Sequence, residues 1–236
     1  FHTFLFKPLF NAFIFLMDIL PWLDAGVIIV IFTLIVKFAL YPLSKKAVIA
    51  QIEMKSIEAD LKAIREKYKE NKQEQARKTM DLYKEKKINP FSSIIVILLQ
   101  LPIIFALYYV FLRSGLPEIN TELLYSFVSR PESINMDFLG LINITGKSLI
   151  LALLAGVSSF VQIRASVPAY SGPKKGGTFQ EDLARSMNIQ MRFIFPVIVF
   201  FISYQISGVV ALYWFTSNIF TLLQERFLRR VKTQVA

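Results

Sequence analysis

The chain has 236 residues, 54% of them apolar and 14% aromatic, yet it carries a formal net charge of +10. Long runs of Phe, Ile and Leu at this density exclude a soluble globular protein and imply an all-α integral membrane protein. The absence of cysteine excludes disulfides, thiol catalysis and thiolate metal sites, and His2, the single histidine, reads as a terminal bystander.

Residues 1–24 are apolar and aromatic as far as Leu20, interrupted there by Lys7, Pro8, Asn11 and Asp18. With Pro8 expected to interrupt a helix and Pro21-Trp22 at a boundary, they read as an external amphipathic helix lying on the membrane, with a full span as the competing reading. Starting at Phe1 without a basic leader, the chain is expected to be processed or trimmed. Residues 25–43 form a first predicted span, with Lys37 its only charge. Lys37 lies six residues before the end of that run, roughly 9 Å from it at 1.5 Å per residue. Thr33, Lys37 and Tyr41, spaced i, i+4, i+8, share one face of a continuous helix. A lysine snorkelling to the headgroups and a lysine in a water-lined cavity both fit these residues.

Residues 44–90 are polar, with apolar positions in steps of three and four: Ala47, Ala50, Met54, Ile57, Leu61, Ile64 and Tyr68. After a break at residues 70–72 a second seam runs through Ala76, Met80 and Tyr83. Two such helices predict an antiparallel hairpin, either a solvated spacer or a docking arm built on Ile57, Leu61, Ile64, Tyr68, Met80 and Tyr83. A second span, 91–112, holds Gln100 and a kinking Pro102. A loop, 113–147, precedes a third span, 148–165, which carries Ala155, Ser158, Ser159 and Gln162 at helical spacing, and a loop follows at 166–191. The next apolar run is too long for one crossing, and Ser207-Gly208 divides it into spans 192–206 and 209–224, before a basic tail, 225–236.

Charge supports that division. With five spans, 22 of the 27 Lys and Arg residues fall on one side, which the positive-inside rule makes cytoplasmic. The amino terminus is then external, and both hairpin and carboxyl terminus are cytoplasmic. The last span carries a polar stripe, Trp214, Ser217, Asn218, Thr221 and Gln224, a pattern that serves as helix-packing glue or lines a polar hollow shared with Lys37, Thr33, Gln100 and Gln162.

Enzyme chemistry finds no support. The spans hold no carboxylate and no histidine, and no Gly-rich phosphate loop follows a strand, so no cofactor, metal or nucleotide is expected. Asn143-Ile-Thr145 fits a glycosylation triplet that arises readily by chance. The basic excess follows topology and is interleaved with acids, which argues against specific nucleic-acid binding. An ion-coupled or small-solute transporter is the rival class, although it would place acidic residues in the spans and show related halves.

The segments Ile35-Val-Lys-Phe-Ala-Leu-Tyr-Pro-Leu-Ser44, Lys87-Ile-Asn-Pro90, Leu99-Gln-Leu-Pro-Ile103, Ala106-Leu-Tyr-Tyr109 and Ser207-Gly-Val-Val-Ala-Leu-Tyr-Trp-Phe-Thr-Ser-Asn218 resemble, in combination and order, the YidC family of membrane protein insertases with its Oxa-type and Alb-type relatives. The resemblance covers nearly the whole chain. It implies five spans, a cytoplasmic hairpin, an external amphipathic helix and a hydrophilic groove open to cytosol and lipid. Lys37 falls where the family commonly has arginine, keeping the charge without the planar fork. Thr33, Gln100, Gln162 and Trp214 fall at or near groove positions, and Asn218 continues the same stripe. The implied location is a bacterial plasma membrane. The implied partners are nascent membrane proteins with acidic extracytoplasmic tails, the lipid bilayer, a secretion channel, targeting factors and the ribosome.

Overall fold

A computed structural model describes residues 6–88, 110, 119–167 and 185–235. Helix α1 (Lys7–Ile19) places Pro8 in its first turn, where a missing N–H costs nothing, so the proline starts the helix instead of interrupting it. Phe10, Phe13, Ile14 and Met17 are buried against α2, with Phe13 edge-on to Phe32 at 5.5 Å. Ala12, Phe15 and Ile19 form an outward apolar stripe.

Helix α2 (Ala25–Ala39) begins at Asp24, whose Oδ1 accepts from the Val27 N–H as an N-cap. It ends four residues short of the expected Leu43. After Leu40 the chain bends by 75° into α3 (Tyr41–Ser56), with Pro42 in the new first turn. Proline disfavours helical geometry in the residue before it and cannot donate back into the preceding helix, which accounts for the break. Two expectations are thereby corrected. Tyr41 does not continue the Thr33–Lys37 face, and Lys37 stands in the last turn of α2.

Helix α3 lies along the helices at Leu149–Ser166 and Gly208–Val235, with Val48 and Ile52 buried against Leu228. The first part of the 44–90 segment is therefore attached to the bundle. Only α4 (Glu58–Lys67) and α5 (Lys72–Glu85) fold back on each other. Asn71 caps α5 through the Glu74 N–H, and Gln75 Nε2 donates to the Arg65 carbonyl near the turn. At the open end Met54, Ile57, Leu61, Leu82 and Ile88 form a small core, with Ile64 and Tyr83 packed on it. Burial pushes the Tyr83 hydroxyl pKa up, and the nearby Arg65 charge opposes the shift.

The loop before the third predicted span is not wholly irregular. It holds a two-stranded antiparallel sheet, β1 (Asp137–Phe138) and β2 (Ile142–Asn143), a short exception in a mostly helical chain that fits the all-α expectation. Helix α6 (Leu149–Ser166) follows, capped by Ser148. Helix α7 (Arg185–Ile206) starts earlier than the expected 192 and contains a π-helical turn, Gln190–Ile194, before Pro196. Ser207 is extended, and α8 (Gly208–Val235) then runs unbroken for 28 residues, so the expected tail 225–236 is helical as far as it is described. Gly208 allows a close approach here: a Cβ would lie 3.0 Å from the Ile144 Cα of the preceding loop.

Helix α8 packs on α6 and α2, and α6 packs on α7. The arrangement is apolar outward: Ile150, Leu153, Val157 and Val161 of α6 are exposed while Ala152, Ala155, Ser158 and Ser159 are buried. Small and polar groups inside with branched apolar ones outside suit a lipid solvent. Among the described residues, two helices are long and apolar enough to cross a membrane, α6 and α7, or three with the bent α2–α3 pair counted as one. The predicted second span, 91–112, lies outside the described residues except for Val110, which is buried in the main core.

Candidate functional site

Two apolar helices meet where α2 ends. Phe38 and Phe220 pack edge to face, ring centroids 5.2 Å apart. Beside them the Lys37 ammonium donates to Thr221 Oγ1 at 3.3 Å, and that hydroxyl donates to the Ser217 carbonyl at 2.9 Å. Lys37 is half-buried, and its position in the last turn of α2 sets its charge near the helix's negative pole. A cation held among aromatic and aliphatic groups, with the Thr221 hydroxyl as neighbour, can attract an anionic group.

The other sequence-predicted residues are distributed around α8 rather than gathered at Lys37. Thr33 is fully buried, and its hydroxyl donates to the Ile29 carbonyl of its own helix at 2.6 Å. Trp214 is buried in the main core. Asn218 Nδ2 donates to Ser158 Oγ at 3.0 Å and Ser159 Oγ at 2.8 Å, which ties α8 to α6. Gln162, on α6, is half-buried and donates to Ser166 Oγ at 3.1 Å. Gln100 lies outside the described residues.

Sequence reasoning passed over a clasp beyond Lys37. Ser166 Oγ donates to the buried Glu225 carboxylate, which also pairs with Arg229 one helical turn on. Lys55 Nζ of α3 donates to the Ala165 carbonyl at 2.6 Å, satisfying an end group of α6 that its own helix leaves open. Gln224 Nε2 donates to Ser44 Oγ at 2.9 Å. The i, i+4 spacing of Glu225 and Arg229 was the available signal, hidden by reading that segment as a tail.

The six hairpin residues split in two. Ile57 and Leu61 are buried between α4 and α5 and Ile64 and Tyr83 pack on them, so they build the hairpin's own core and are not a free docking face. Tyr68 is half-exposed and Met80 is exposed. No group of three or more His, Cys, Asp or Glu residues suited to a metal occurs among the described residues.

A family model described as 60Kd inner membrane protein matches residues 16–235. The membrane protein insertase YidC of Fusobacterium nucleatum is 32% identical over 208 residues, covering 87% of this chain and 86% of the relative. That of Clostridium tetani is 31% identical over 215 residues, covering 90% and 84%. The Wolinella succinogenes insertase YidC is longer: 30% identity over 235 residues covers 98% of this chain and 38% of that one. On this match over nearly its whole length, the chain belongs to the 60Kd inner membrane protein family, that of the YidC insertases.

Proposed function

We propose that the protein is a membrane insertase that moves short hydrophilic segments of nascent membrane proteins across the bilayer without nucleotide hydrolysis. The observation that carries this reading is Lys37, a cation held between two apolar helices with Thr221 as its hydroxyl partner. In this reading an acidic extracytoplasmic tail is drawn into a groove open to cytosol and lipid and pauses near Lys37. The attraction at about 4 Å and an effective dielectric of about 20 is on the order of 4 kcal/mol before desolvation. That lowers a barrier without forming a trap. The substrate's apolar helix then leaves into lipid, and its burial drives the step.

The groove's walls are proposed to include Gln100, Gln162 and Thr221, the last by its contact to Lys37, with Thr33 and Trp214 buried behind them. Five spans, an external amino terminus and a cytoplasmic hairpin complete the proposed plan. Because Ile57 and Leu61 are spent on the hairpin's core, contact with a secretion channel, targeting factors or the ribosome is assigned to its outer surface, where Met80 is exposed.

The test is insertion of a single-span, acidic-tailed substrate into proteoliposomes. Lys37→Glu is expected to abolish insertion and Lys37→Arg to retain it. Equal activity of the two variants would overturn the electrostatic role.

A further inference from the structure

We propose that the β1–β2 hairpin is a lipid anchor, inserting Leu139 and Leu141 into the boundary between headgroups and acyl chains at the outer end of the bundle. Its tip reads Phe138-Leu-Gly-Leu-Ile142, with no charge. Leu139 is 62% exposed, Leu141 83% and the nearby Trp22 74%.

Backbone geometry marks Leu139 independently of exposure. Leu139 (φ 53°) and Gly140 (φ 68°) both have positive φ, and the Leu141 N–H donates to the Phe138 carbonyl at 3.0 Å. That is a type I′ turn, whose first central position favours Asn, Asp or Gly. A leucine there bears backbone strain and presents a large apolar group outward, a combination that water does not reward.

The surroundings place this tip at the membrane boundary. Asp24 Oδ2 accepts from the Leu139 N–H at 3.1 Å while Oδ1 caps α2, so one carboxylate fixes the tip to the start of an apolar helix two residues after Trp22. Phe138 presses on Gly26, leaving no room there for a Cβ. The Ala25 N–H donates to the Asn135 carbonyl, the Val209 N–H to Ile144 and the Gly208 N–H to Gly146. The segment therefore lies across the ends of α2 and α8, and leads directly into α6, whose first residues Leu149 and Ile150 are also exposed. Its polar side chains are turned to one another, Asn143 donating to Asp137 and Thr145 to Asn143, which leaves the apolar tip to face outward. Continuity with Trp22, Leu149 and Ile150 makes the occupant lipid.

The chain's lack of cysteine permits a direct test. A nitroxide on Leu141→Cys, in protein reconstituted into phosphatidylethanolamine–phosphatidylglycerol vesicles, is compared with one on the exposed loop position Glu132→Cys. Expected is strong relaxation by oxygen and weak relaxation by a water-soluble nickel chelate at 141, with the opposite balance at 132. Adding Leu139→Asn, which suits the turn and so preserves the fold, should shift the 141 label toward the aqueous balance. Nickel access at 141 equal to that at 132 would overturn the proposal. Exclusion of both relaxants at 141 would also overturn it, since a protein surface would then cover the tip.

Discussion

Lys37 and Asn218 show how similar polar residues in apolar helices take different work. Both were legible as intruders in hydrophobic runs, but their partners were not. Asn218 spends its amide on Ser158 and Ser159, joining two helices. Asn218→Leu is therefore expected to lower stability by about 1 kcal/mol, the usual scale for such bonds in a membrane, and to show as a reduced midpoint of thermal unfolding in detergent. If Asn218 lined a substrate path instead, insertion would fall with the midpoint unchanged. Thr33 teaches the same lesson. Its spacing to Lys37 was readable, yet the choice between a cavity and its own helix backbone depends on a rotamer that spacing does not encode.

Among the elements, the hairpin and the clasp have separable stabilities. The heptad rhythm marked the apolar side of α4, where Leu61 is buried, but misplaced that of α5: Ala76 and Met80 are exposed, and Leu82 is the residue turned to the hairpin core. Leu61→Ala removes core from a small unit and is expected to cost about 2–5 kcal/mol there. Amide hydrogen exchange should accelerate through residues 58–85 while α6 stays protected. At the clasp, Arg229→Leu leaves the Glu225 carboxylate buried without this charge partner and should destabilise by about 1–3 kcal/mol, less than for a fully buried pair because Arg229 is partly solvated and Ser166 still donates to the carboxylate. The double variant Glu225→Gln/Arg229→Leu should recover much of that loss, read as unfolding midpoints. The bend after Leu40 was less legible. Residues 25–43 are uniformly apolar apart from Lys37, so composition suggested one rod, although Pro42 carried the local instruction to stop.

At the scale of the molecule, the division of the long carboxyl-terminal apolar run was readable because a bilayer's thickness limits a span and Ser207-Gly208 offered the place to turn. The path of α3 across α6 and α8 was not, because it depends on contacts between segments far apart in sequence. The proposed orientation makes a direct prediction. In intact right-side-out vesicles a membrane-impermeant maleimide should label Asn143→Cys and spare Lys78→Cys, with the pattern reversed in inverted vesicles. Labelling of both from one side would remove the five-span plan.

Helix α8 begins pressed under the Ile144 backbone and extends without interruption past the Glu225–Arg229 pair. At 1.5 Å per residue its 28 residues reach about 42 Å, more than a hydrocarbon core is thick. A strut of that length couples its two extremities: a displacement at the Glu225–Arg229 end is carried along one continuous helix to the cap formed by the Ile144 backbone.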